Sequence, residues 1–274
     1  MRGKTSRTPH KKIAAFDAVL FDLDGTLADT ARDIAASVNH VRMAFGRRPL
    51  AVATVRRYVG DGVKILMERS LGTRDGEVIA RSLKILLPHY QAHCMDHTRL
   101  YPGIKPMLKT LAAHGIPMGV VSNKPEAASV ETIERTGLAG FFKAVVGGET
   151  VPFRKPAPEP FFYALRKMGV PRSARILVVG DGATDVLGAR AAGFQCCGVL
   201  WGFRSEETVR ATRPDFMART PRDITRVGHM SLLGMVSDHE DDPQSQGAKL
   251  PLVIFESPHS LIAPLLIPPS VHPV

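Results

Sequence analysis

Residues 21–30 read FDLDGTLADT, so two carboxylates one residue apart, Asp22 and Asp24, follow an apolar run. Carboxylates this close repel, and each raises the other's pKa unless something neutralises them; the spacing therefore asks for a bound cation or a shared proton. Reactive groups recur behind other apolar runs or turns: Ser122 and Asn123 in VVSN, Lys155 in RKPAPEP, and Asp181 with Asp185 in GDGATD. Singly each is weak, because such residues after a strand most often cap a turn or a helix. They gain meaning only if the fold gathers them.

The elements between them predict that it does. AVLFDL (18–23), IPMGVVS (116–122), FFKAVVGG (141–148) and RILVVGD (175–181) are short apolar runs of the kind buried on both faces of a parallel sheet, and CCGVL (196–200) adds a fifth. Helical patterns separate them, such as PEAASVETIERTG with proline at its start and Gly137 past its end, and ATDVLGARAAG. Strand–helix alternation of this length implies an α/β fold: a doubly wound, Rossmann-like parallel sheet with helices on both faces. Ligands bind such sheets beyond the carboxyl ends of the strands, so all four groups would reach one edge. The stretches DIAASVNHVRMAFG, VATVRRYVGDGVKILMERSLG and EVIARSLKILLPHYQAHC are too long for one crossover. They predict an inserted helical cap over residues 30–100, opened by a capping box of Thr30 and Asp33. The core is then 14–29 and 101–227, entered again through YPGIKPML and closed by PRDITRV.

Bulk properties narrow the partners. The net charge of +10 owes half its size to Arg2, Lys4, Arg7, Lys11 and Lys12, in a segment (1–13) that reads as a disordered basic tail. No aromatic residue interleaves with them, which argues against nucleic acid. Three cysteines, two of them adjacent, make no disulfide framework and suit a reducing cytoplasm. The sequence offers neither an apolar stretch of the roughly 18 residues that span a bilayer nor an apolar run behind the basic N-terminus. A monomer or homodimer is expected. Residues 228–274 contain seven prolines and no sustained periodicity, and are expected to lie extended or loosely docked.

The quartet resembles the haloacid dehalogenase superfamily over about residues 14–227, DLDGT being its most specific motif, and the insert resembles that superfamily's small α-helical cap. VGDGVKILMERSLG and GDGATDVLGARAAG are similar to stretches of phosphoglycolate phosphatases. The resemblance implies a Mg²⁺-dependent phosphatase for a small phosphorylated metabolite. Asp22 is its nucleophile, forming an aspartyl phosphate; Asp24 is its acid and then base; Lys155 balances charge. Thr26, Ser122 and the Asn123 backbone hold the phosphate. Asp22, the backbone carbonyl of Asp24, Asp181 and Asp185, directly or through water, hold the cation. The presence of Asp24 separates the chain from the dehalogenase branch.

Specificity is less constrained. Gly60, Asp61 and Gly62 open a helix whose free N–H groups could hold a substrate carboxylate, with Lys64 nearby, and an ordinary turn is equally compatible. His89, His93 and His97 have the spacing of metal ligands, but sharing a helix with Tyr90 and Cys94 they read better as a polar face. 2-Phosphoglycolate is the leading substrate. A sugar phosphate, pyrophosphate, a phosphomutase reaction, or a silent binding protein on the same scaffold are the alternatives.

Overall fold

The structure is a computed structural model and describes residues 16–230; the basic tail, and all of the proline-rich segment past the last helix, lie outside the described residues. In chain order the elements are β1 (Ala18–Phe21), β2 (Ala28–Asp29), α1 (Ala31–Ala44), α2 (Val52–Tyr58), α3 (Val63–Leu71), α4 (Gly76–His93), β3 (Arg99–Leu100), α5 (Ile104–Ala113), β4 (Met118–Val121), α6 (Glu126–Arg135), β5 (Phe142–Val146), α7 (Glu159–Met168), β6 (Ile176–Gly180), α8 (Ala183–Ala192), β7 (Gln195–Val199), α9 (Glu206–Ala211), β8 (Phe216–Ala218) and α10 (Pro221–Met230).

The apolar runs are strands because both of their faces are covered. Val19 and Phe21 of β1, with Leu177 and Val179 of β6, pack with Ile104, Met107, Leu108 and Leu111 of α5. Their neighbours Ala18, Leu20, Ile176 and Val178 point the other way, onto Phe161, Ala164 and Leu165 of α7 and Val186 and Ala189 of α8. Alternation between two apolar clusters is the period of two expected of a strand buried on both sides. The six strands are parallel in the order β5-β4-β1-β6-β7-β8. The chain winds outward from β1 to β5, then crosses back to β6 on the other flank of β1, which makes the carboxyl end of β1 the switch point of a doubly wound sheet.

Helices α1–α4 lie between the two strands of a small antiparallel ribbon, β2 and β3, and have their own apolar cluster of Val38, Val41, Val55, Met67, Leu71 and Leu86. Ala128 of α6 and Phe203 join that cluster, so the cap packs on the core beside the sheet edge.

Four particulars sharpen or correct the sequence reading. First, β8 is an additional edge strand; three residues paired on one side only leave no apolar run to recognise. Second, the stretch 52–72 is two helices parted at residues 59–62, as the glycine turn expected ahead of α3 implies, where Gly60 (φ 123°) and Gly62 (φ 91°) take conformations that side chains oppose. Third, no capping box forms: Thr30 makes no side-chain cap bond, and its hydroxyl donates instead to Asp24 Oδ1 at 2.7 Å. Asp33 accepts from the backbone N–H groups of His97 and Thr98 and from the Thr98 hydroxyl, at 2.8–3.0 Å, and so ties α1 to the chain entering β3. Fourth, α4 ends at His93, so His97 lies off the helix and pairs with Asp33. His89 stacks on His40 of α1 with ring centroids 4.1 Å apart and has the tilted ring of His93 4.5 Å away on its own helix, and burial beside these two imidazoles lowers the His89 pKa. Touching ring faces do not make a ligand set.

Candidate active site

The loop after β1 is folded on itself. Asp22 N–H donates to Val179 O of β6, while Leu27 and Ala28 N–H both return to Leu23 O. Gly25 (φ 84°) lies so close to Asp181 that a Cβ would sit 2.4 Å from Asp181 Oδ2, so glycine here is a steric requirement of the site. Asp181 follows β6, and Asp185 stands in the first turn of α8, where its Oδ2 accepts from Gly182 N–H at 3.1 Å. Oxygens of Asp22, Asp181 and Asp185 all lie within 4.8 Å of one another.

Lys155 occupies the centre. Its three ammonium protons go to Asp22 Oδ1 (2.9 Å), Asp185 Oδ1 (2.6 Å) and Val121 O (2.7 Å), which uses every donor it has. Asn123 aims it: its amide accepts from Lys155 N–H at 3.0 Å, donates to Lys155 O at 2.9 Å, and donates to Gly60 O in the cap at 2.9 Å. Asp24 faces another way. Its Oδ1 accepts from Thr30 Oγ1 and, at 2.9 Å, from Lys124 Nζ. Lys124 also donates to the phenol of Tyr90 on α4, whose ring lies 4.6 Å from the ammonium.

Four buried or nearly buried carboxyls here face two ammonium groups. Burial pushes Asp22 up to about 6, with the repulsion of Asp185 and Asp24 adding to it against the pull of Lys155. Asp181 rises to about 7, through burial and then through Asp22 and Asp185. Burial alone would lower the two lysines, but their carboxylate neighbours overcome it and hold both above the usual value. Burial likewise raises Tyr90, leaving a neutral phenol. Four carboxyls around two ammonium groups, three of them with converging oxygens, are a donor set suited to a hard divalent cation.

These groups open onto a cavity of about 170 Å³ between the sheet edge and the cap, lined by Asp22, Asp24, Ser122, Asn123, Asp181 and Asp185 on the sheet side. Gly60, Asp61 and Gly62 line its cap side, and Asp61 pairs with Arg69 at 2.6 Å. Lys64, expected from sequence near the substrate, does not line the cavity: its side chain is 62% exposed and 4.0 Å from Glu68. Thr26 is buried and does not line the cavity; its hydroxyl has no partner among the described residues. Lys124 and Tyr90 are the residues sequence reasoning missed, and nothing local marks a lysine after Asn123 as buried.

Residues 19–199 match the family of haloacid dehalogenase-like hydrolases. The chain belongs to that family. A phosphoglycolate phosphatase of Pseudomonas fluorescens is 34% identical over 202 residues, covering 72% of this chain and 74% of its own. One from Chromobacterium violaceum is 35% identical over 199 residues, 71% of this chain and 89% of its own. Among solved structures, a predicted phosphoglycolate phosphatase from Haemophilus somnus superposes with a TM-score of 0.72 at 27% identity, over 77% of this chain and 97% of that one. With Asp24 in place beside Asp22, the chain is a phosphoric monoester hydrolase. No helix among the described residues is long and apolar enough to cross a membrane.

Proposed function

We propose that the chain hydrolyses 2-phosphoglycolate to glycolate and inorganic phosphate through an aspartyl phosphate on Asp22, with Mg²⁺ held by Asp22, Asp181 and Asp185. The observation that carries the chemistry is the division of labour between two aspartates on one loop: Asp22 is fixed by Lys155 beside the acidic triad, while Asp24 points to Lys124 and Thr30 on the same cavity.

A carboxylate oxygen of Asp22 attacks phosphorus, and the bond from phosphorus to the substrate oxygen breaks as Asp24 gives its proton to the departing alkoxide. Asp24, now a carboxylate, takes a proton from water, whose oxygen attacks phosphorus and releases phosphate from Asp22. When bound, the metal withdraws charge from the phosphoryl oxygens and relieves the repulsion among the carboxylates. Lys155 keeps the Asp22 carboxylate oriented, and the Ser122 hydroxyl and the Asn123 backbone N–H would donate to the phosphate. The names and coverage of the relatives support phosphoglycolate, and a cavity of about 170 Å³ suits a small ester better than a nucleotide.

Phosphate release with Mg²⁺ across 2-phosphoglycolate, hexose phosphates, pyrophosphate and p-nitrophenyl phosphate tests this. The kcat/KM for 2-phosphoglycolate should exceed the others by at least about tenfold, which is roughly 1.4 kcal/mol of discrimination. A preference for a hexose phosphate or pyrophosphate would overturn the substrate.

A further inference from the structure

The cavity is asymmetric in charge. Beside the glycine turn of residues 60–62, its cap wall carries Ile34, Val59, Val63, Leu66, Leu86 and Leu87, apolar side chains that bring no positive charge to an anionic group. A carboxylate carried into such a wall loses its hydration and needs a cation in return. Two cationic side chains line the cavity, Arg204 and Lys124. Arg204 spends three of its five N–H donors on the carbonyls of Arg56, Arg57 and Val59 at the end of α2 and so fastens the cap, and among the described residues no hydrogen bond ties it to Asp24. Lys155 has no donor left, and Lys64 faces solvent.

Lys124 remains. Its ammonium has three protons and two partners among the described residues, Asp24 and Tyr90, so one donor is left over on a buried side chain that lines the cavity. Its position beside Asp24 fixes what that donor can meet. The proton donor to the leaving oxygen must touch that oxygen, so a cation 2.9 Å from Asp24 sits next to whatever the leaving oxygen is attached to. In the ester of a 2-hydroxy acid that neighbour is a carboxylate, two bonds from the leaving oxygen. Tyr90 comes from the cap and Asp24 from the core, so the ammonium is held where the two parts meet.

We propose that Lys124 is the specificity-determining residue of this hydrolase: its ammonium receives an anionic group on the leaving alcohol, and the enzyme thereby selects phosphomonoesters of small hydroxy acids over those of neutral alcohols. The inference rests on the reading of Asp24 as the proton donor, and extends the substrate from one compound to a class.

The test compares kcat/KM for 2-phosphoglycolate with that for ethyl phosphate, a neutral ester of similar size, in the wild type and in Lys124→Met, Lys124→Gln and Lys124→Arg. The ratio of the two, whatever happens to the rates themselves, should fall on the order of 100-fold in the Met and Gln variants and stay within about tenfold in Arg, which keeps the charge. Calorimetric binding of 2-phosphoglycolate to the same proteins with Mg²⁺ should weaken in the same order, a readout independent of turnover, and the Gln and Arg variants serve if Met fails to fold. An unchanged ratio in both Met and Gln overturns the proposal and leaves Lys124 a support for Asp24 alone. A wild type that makes no distinction between the two esters also overturns it. A wild type that prefers 2-phospholactate to 2-phosphoglycolate, with the ratio of either to ethyl phosphate still lost in Lys124→Gln, sinks the phosphoglycolate reading and supports the lysine.

Discussion

Along the sheet edge, Lys155 divides its protons among Asp22, Asp185 and Val121, Asn123 clamps both the N–H and C=O of Lys155, and Gly25 presses on Asp181 with no room for a methyl group. Across the same cavity the cap presents Leu66, Leu86 and Leu87, with Leu87 still 41% exposed, and its polar reach into the site runs through Tyr90 and the Gly60 carbonyl. One wall is a charged network in which each group fixes the next; the other is an apolar surface that can repack. A buried network that loses one member leaves another group unpaired, whereas an apolar wall that loses a methyl group loses only area. Chemistry should therefore fail steeply on the sheet side, and selectivity should drift gently on the cap side.

The largest effect expected is at Asp22. Asp22→Asn keeps the shape and removes the nucleophile, so turnover should fall by about 10⁴-fold or more and no covalent phosphoprotein should form. Asp24→Asn should cost roughly 10²–10⁴-fold while still binding Mg²⁺, because its carboxylate lies outside the triad. Leu87→Ala, on the opposite wall, should change kcat/KM by no more than about threefold. Steady-state kinetics with trapping of the phosphoenzyme measures all three, and an active Asp22→Asn would remove the nucleophile assignment.

The network also predicts a pH-dependent response to metal. Asp22 and Asp181 bind protons more tightly folded than unfolded, rising from 3.8 to about 6 and about 7. Without a cation, their contribution to stability is complete below pH 3.8 and is lost as pH rises through about 6 and then about 7. Mg²⁺ must displace those protons in acid but meets open carboxylates in base. Its stabilisation, read as a shift in Tm, should be greater at pH 8 than at pH 5.5, by on the order of 5 °C. Equal shifts at the two pH values would mean that the triad is not where the metal acts.

The same contrast explains what the sequence made legible. The strands of the core read directly because continuous apolar runs such as RILVVGD have few other uses, and the candidate site residues follow them at the switch point that the topology dictates. Thr30 and Asp33 misled because a capping box is a local pattern, while here distant partners, Asp24 for one and His97 and Thr98 for the other, claim both side chains. Lys124 was invisible for the converse reason. What buries it is Tyr90, thirty-four residues away on a cap helix, and no spacing rule links the two.

The smallest effect expected is at Lys64, and it bears on how far the cap reaches. The sequence places this lysine one residue into α3, behind the glycine turn that lines the cavity, so it reads as a ligand for a substrate carboxylate. In the structure its ammonium lies in solvent beside Glu68, where water and salt screen its charge from the site. Lys64→Ala should therefore leave KM for 2-phosphoglycolate within about twofold at physiological ionic strength, against the loss expected at Lys124. A tenfold rise in KM would mean that α3 moves further over the substrate during turnover than it lies in the structure, bringing Lys64 onto the carboxylate. The anionic group would then be shared between cap and core, and the division between a wall that reacts and a wall that only shapes would have to be redrawn.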